Sequence, residues 1–139
     1  MGPGDLIETK DRAKMWGIDR QVVCTGALPK EDTQKIYGAA DCFVFTSQTE
    51  TQGLVIGEAM MANLPVVALY SPIQPEVYPD NTAVVVHDPR QFSNSIRSII
   101  LDSPRRKLMT TQAKKFVEKN FSIEGMISKQ IALFERLIN

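Results

Sequence analysis

The 139-residue chain lacks a long apolar run, an excess of either charge, and any spacing that would hold a metal. No hydrophobic stretch approaches the about 20 residues that cross a bilayer, and no secretory signal pattern is read. The expected address is therefore the cytoplasm, with the inner membrane surface as an alternative position. Sixteen basic residues balance 16 acidic ones. A general nucleic-acid binder would show a basic excess, so no nucleic-acid partner is expected. With one histidine and no pair of cysteines two residues apart, no metal site is expected. The two cysteines, Cys24 and Cys42, sit inside apolar runs and read as buried free thiols of a reducing compartment.

What is present is a regular alternation. Residues 5–16 read as an amphipathic helix with Leu6, Ala13 and Trp16 facing inward. Residues 21–26, "QVVCTG", read as a short strand, and 29–40 as a helix opened by Pro29. "DCFVFTS" (41–47) and "PVVALY" (65–70) read as strands buried on both faces, and "TAVVVH" (82–87) as another. Between the first two of these lies an apolar helix, closed by Asn63 in a left-handed conformation. Asp88-Pro89 and Ser103-Pro104 each read as a cap followed by proline at the first helical position, with a third start at Ser122. Helices are expected over about 89–102, 104–119 and 123–138. The pattern predicts one α/β domain over 1–139: a parallel sheet with helices on both faces, followed by C-terminal helices over about 104–138.

In such sheets ligands sit beyond the carboxyl ends of the strands. The residues to read are Gly2 to Asp5, Thr25 to Pro29, Ser47 to Gly53 and Tyr70 to Gln74. The helix entered at Gly53 offers the free N–H groups of Gly53, Leu54 and Val55, and its dipole suits a phosphate. Every helix has such an end, so this feature alone is weak. Glu58 adds to it. It lies five residues past Gly53, on the face of Leu54, roughly 7–8 Å down the axis. It looks like a carboxylate within a buried helix, which needs hydrogen-bond donors such as the vicinal hydroxyls of a ribose. A solvent-facing glutamate or a structural ion pair is the alternative. Glu50, in the polar loop before the helix, is either a plain loop acid or a neighbour of whatever the distal phosphate carries.

These residues together resemble a known family. Glu50, seven residues, then Glu58-Ala59-Met60, with Ala62 and Pro65-Val66-Val67, resemble the E-x7-E signature of the retaining GT-B glycosyltransferases. Ala40-Asp41, Thr46-Ser47 and Gly53-Leu54 fit the same pattern. Upstream, "VVCTGALPKEDTQKIYGAAD" is similar to the family's strand–glycine–helix segment ending in Tyr-x-x-Ala-Asp. The resemblance implies a Rossmann-like C-terminal half of a GT-B fold, truncated at its N-terminus. It implies transfer of a sugar from a nucleoside diphosphate donor, a UDP-sugar first, with retention and without a separate cofactor. Glu58 would hold the ribose hydroxyls, Glu50 would be the catalytic candidate beside the sugar, and Gly53 and Leu54 would donate to the distal phosphate. Gly26, Ala27 and Leu28 would flank the base, and Gly2 and Gly4 would form a glycine-rich donor loop.

Some positions depart from the pattern. Asn63 stands where glycine is usual, and Thr46 where proline is usual. The family's phosphate-clamping Arg and Lys are expected upstream. So is the acceptor-binding domain, since "MGPGD" opens on a glycine turn with no strand before it. "TETQGL" is similar to bacterial diacylglycerol glucosyltransferases, which implies a lipid acceptor beside the more general saccharide. The fragment alone is expected to be inactive. Rival readings are a nucleotide-sugar epimerase of the same architecture and a non-catalytic nucleotide-binding module. His87 reads as structural or exposed, Trp16 as a packing residue, and Arg105, Arg106, Lys107, Lys114 and Lys115 as a solvated face.

Overall fold

The computed structural model describes residues 6–47, 53–72 and 77–121. Internal packing divides the chain into two compact units, Met1–Ile36 and Tyr37–Asn139.

In the first unit, helix α1 spans Leu6–Met15. It is closed by a left-handed Gly17 (φ 67°), with Ile18 N–H donating to Ala13 O and Gly17 N–H to Lys14 O, both at 2.9 Å. This is the paired-bond ending that satisfies the last carbonyls of a helix. Of the three residues expected to face inward, Ala13 is buried, Leu6 is partly exposed and Trp16 is 66% exposed. Trp16 lies past the last α-helical residue, where the chain turns away at Gly17.

The strand expected over 21–26 does not form. Val22 is extended, but residues 22–26 join no ladder, and Val23 is 85% exposed. β-propensity describes fitness for a packed, paired surface. Among the described residues of this unit there is no second strand to receive these N–H and C=O groups. Helix α2, Lys30–Ala39, follows. Pro29 accepts its first backbone bond from Thr33 N–H at 3.0 Å, and Glu31 and Asp32 occupy the first turn. The division between the units falls within this helix.

The second unit is built on a parallel three-stranded sheet: β1 (Phe43–Phe45), β2 (Val66–Leu69) and β3 (Val84–Val86), in that order. Phe43 pairs with Val66 and Val67 with Val84. The central strand β2 is buried along its whole length. Its side chains alternate between two cores, as the two-residue period of a strand requires. Val66 and Ala68 join a core with Phe45, Ile56, Ala59, Met60, Leu64, Val77, Tyr78, Ala113 and Val117. Val67 joins Val86, Ile99 and Met109 on the other face. The first core is closed by α3 (Leu54–Met61) and the C-terminal part of α5 (Ser103–Phe121), the second by α4 (Phe92–Leu101) and Met109. The parallel α/β architecture with helices on both faces is thus present.

Helix ends follow the sequence with one shift. Asp88 Oδ1 accepts from Arg90 N–H at 3.0 Å, capping a short 3₁₀ turn (Pro89–Gln91) that runs into α4. For α5 the cap is Asp102, whose Oδ1 accepts from Arg105 N–H at 3.0 Å, rather than Ser103. Pro104 therefore sits one residue further in. The helix expected over 123–138 and its start at Ser122 lie outside the described residues. Cys24 and Cys42 are free and half-buried. Burial pushes the Cys42 thiol above its ordinary pKa.

Candidate functional site

The site begins where β1 ends. The chain passes Thr46 and Ser47 and enters α3 at Gly53, which has φ 62° and ψ 23°. Two constraints make glycine the residue here. The left-handed backbone disfavours a Cβ, and a Cβ placed on Gly53 would overlap Val77 Cγ1. Gly53, at the N-cap, offers no side chain to cap the helix. Gly53 O accepts from Ile56 and Gly57 N–H at 2.9 and 3.1 Å, so helical bonding starts there. No described residue accepts from the N–H groups of Gly53, Leu54 or Val55. They form the open tip that the helix dipole makes favourable for an anion.

Glu58 requires a correction. It is exposed and not a buried intruder. The buried stripe of α3 is Ile56, Ala59 and Met60, while Leu54 and Met61 are 62% and 42% exposed. Positions 54, 58 and 61 share one open face, as spacings of four and seven dictate. The helix is so apolar in composition that its inward and outward sides look alike in sequence. The predicted alignment of Glu58 with Leu54 below the tip holds, and the carboxylate is open to a ligand.

One neighbour of Glu58 was not assigned a role from sequence. Tyr37, from the end of α2, donates its hydroxyl to Glu58 Oε2 at 3.4 Å. Its ring is buried and stands edge-on to Phe43, with centroids 5.9 Å apart and planes at 76°. Burial, then the charge and hydrogen bond of Glu58, hold the phenol above its ordinary pKa, so it stays a donor. Its signal in sequence was the tyrosine of the Tyr-x-x-Ala-Asp segment, but nothing linear connects it to Glu58, 21 residues later.

At the carboxyl ends of the other two strands, Tyr70 and His87 stack at 4.7 Å with planes 23° apart. Both are exposed, so His87 is a rim residue. Ser71 is buried, and its hydroxyl has no partner among the described residues. Tyr78 Oη donates to Leu69 O at 3.2 Å, tying the returning loop to β2. Val77, next to it, closes on Gly53.

Gly26 lies in the first unit with a left-handed φ of 66°, followed by Ala27 and Leu28. A Cβ on Gly26 would stand 3.5 Å from Leu6 Cδ1. Glu50, Gly2 and Gly4 lie outside the described residues. Among the described residues no three His, Cys, Asp or Glu side chains gather as metal ligands. A shallow cavity of about 390 Å³ opens at the opposite end of the strands, lined by Asp41, Asn63, Pro65, Ser103, Arg106 and Lys107. Its helix tip is already capped by Asp102, and Arg106 is committed to Ile100 O at 2.9 Å. Of these two helix tips, the described residues leave the one at Gly53 open.

Comparison with known proteins gives a consistent result. The family model for glycosyl transferases group 1 matches residues 2–116. The chain is 31% identical over 122 residues to the sulfoquinovosyl transferase SQD2 of Arabidopsis thaliana, covering 84% of this chain and 24% of that protein. It is 26% identical over 133 residues to the alpha-monoglucosyldiacylglycerol synthase of Streptococcus pneumoniae, covering 88% of this chain and 30% of the relative. The chain thus spans about a quarter to a third of the length of these relatives. The crystal structure of TarM superposes with a TM-score of 0.77 at 22% identity, covering 93% of this chain and 26% of that one. That likeness establishes the α/β, Rossmann-like fold. By the extent of its match to the family model, the chain belongs to the group 1 glycosyl transferases.

Proposed function

We propose that this chain is the donor-binding domain of a retaining glycosyltransferase of the E-x7-E type, which moves a sugar from a nucleoside diphosphate sugar to an acceptor. The observation that carries the reading is the α3 tip. No described residue accepts from the N–H groups of Gly53, Leu54 or Val55, and Gly53 precedes Glu58 by five residues, an axial rise of about 7–8 Å along one open helix face. That is the separation between a distal phosphate and a ribose in one extended nucleotide. The tip stabilises the diphosphate as negative charge develops on the leaving group, in the manner of preorganised donors. Glu58 accepts from the ribose hydroxyls. Its exposure supports this, because the carboxylate need not be uncovered before it meets a ligand.

The remaining roles rest on the family resemblance. Glu50 serves the sugar end, Gly26, Ala27 and Leu28 the base, and Gly2 and Gly4 the donor loop. The donor is a UDP-sugar and no separate cofactor takes part. The acceptor-binding half and the phosphate-clamping basic residues belong to the intact protein. A lipid acceptor is supported by the streptococcal relative, whose name carries diacylglycerol. Such an acceptor would place the work at the cytoplasmic membrane surface. The two relatives described above are named as a transferase and a synthase, which leaves the epimerase reading without support.

Calorimetric titration with UDP and UDP-sugars tests the assignment. Glu58→Ala should weaken UDP binding about tenfold or more, the loss of hydrogen bonds to a charged acceptor. Glu50→Ala should leave UDP binding unchanged and weaken the additional binding supplied by the sugar. Unaltered affinity for every nucleotide sugar in both variants would overturn the reading.

A further inference from the structure

We infer that Tyr37 is a positioning residue for nucleotide recognition: its core-anchored phenol holds one oxygen of the Glu58 carboxylate and so presents the other to the ribose hydroxyls. The inference rests on the donor-site reading above. Glu58 stands on an open helix face, and a free glutamate there samples many rotamers. Ordering it on binding opposes affinity through lost side-chain freedom. Tyr37 offsets that loss before the ligand arrives. Its ring is 7% exposed and locked edge-on against Phe43, so the hydroxyl has a fixed origin. Among the described residues, Glu58 Oε2 is the one hydrogen-bond acceptor of that hydroxyl, and no other side chain donates to the carboxylate.

The chemistry limits what Tyr37 can do. A phenol carries one proton, so it engages one carboxylate oxygen and leaves Oε1 free for a donor from the ligand. The 3.4 Å separation is long for a hydroxyl donating to a carboxylate. Such a bond contributes little to folding, and bonds of this kind commonly tighten only when the ligand is in place. A tyrosine kept only for packing would not need its hydroxyl aimed at this acid.

The experiment is a double-mutant cycle in the intact protein, read by calorimetric binding of UDP and of 2′,3′-dideoxy-UDP. Tyr37→Phe keeps the packed ring. It should weaken UDP binding about three- to tenfold, leave dideoxy-UDP binding unchanged, and cause no further loss when added to Glu58→Ala. Equal weakening of both nucleotides would show a structural role and overturn the inference, as would an undiminished loss in the Glu58→Ala background. Unchanged UDP binding by Tyr37→Phe, with a clear loss in Glu58→Ala, would overturn the inference and leave the donor site standing. No loss in Glu58→Ala would remove both.

Discussion

Two glycines four residues apart, one capping α3 and one within it, should respond to alanine with opposite signs. At Gly53 the backbone is left-handed (φ 62°), which costs an alanine about 1–2 kcal/mol. The new Cβ would also overlap Val77 Cγ1. Val77 is buried, so relief requires a core side chain to shift, at roughly 1–3 kcal/mol. Gly53→Ala should therefore destabilise by about 2–5 kcal/mol. At Gly57 the backbone is helical, and the nearest atom to a new Cβ is Val117 Cγ1 at 4.0 Å, an ordinary contact. Gly57→Ala should stabilise by about 0.5–1 kcal/mol through reduced backbone entropy in the unfolded chain. Urea unfolding of both variants supplies the comparison. Adding Val77→Ala to Gly53→Ala should recover the overlap part, seen as a coupling of about 1–3 kcal/mol between the two sites. The reasoning fails if Gly53→Ala is as stable as the parent, or if Gly57→Ala loses more than about 1 kcal/mol.

Further predictions concern alkali and caps. Burial raises the pKa of Cys42, Tyr37 and Tyr78 from ordinary values of 9.0, 10.0 and 10.0. Below those values folded and unfolded chains hold the same protons; above them the unfolded chain releases its protons first. Stability should thus be unaffected by these groups up to about pH 9 and decline above it. Urea midpoints measured from pH 8 to 11 check this (Tyr78→Phe should flatten the decline above about pH 10), and midpoints that rise in that range would contradict it. Asp102→Ala should cost about 1 kcal/mol by uncapping α5, while Ser103→Ala should change stability by less than about 0.5 kcal/mol. The opposite ranking in thermal melts would return the cap to Ser103.

The three strands of the sheet were legible because their residues are apolar on both faces, which only a covered parallel sheet explains. Val22 to Thr25 show the limit of that signal. Their composition is equally strand-like, but a strand needs a neighbour, and no local pattern reveals one. Asn63 was legible because its left-handed φ of 59° is a property of one residue in its turn. The inward face of α3 was not, since Leu54 and Met61 are as apolar as Ile56 and Met60 yet stand in solvent. Asp102 and Ser103 are both good caps, and only the backbone path selects between them. The alignment of Glu58 with the helix tip followed from helical geometry alone. Its contact with Tyr37 depends on how α2 meets the sheet, which linear spacing does not encode.

Helix α3 is bracketed by left-handed residues, Gly53 before it and Asn63 after it. At the far end, Leu64 N–H bonds to Ala59 O at 3.0 Å and Asn63 N–H to Met60 O at 3.0 Å, so these two carbonyls of the last turn are spent. Neither end can add a residue without a change of backbone hand. The helix is therefore a ruler of fixed length, eight residues or about 12 Å. Sliding, fraying or stretching cannot retune the interval between its tip and Glu58. A single inserted residue would swing the carboxylate by about 100° around the axis and carry it off the face it shares with Leu54. Substitutions can alter what this face touches, but the distance it measures is set by two reversals of the chain.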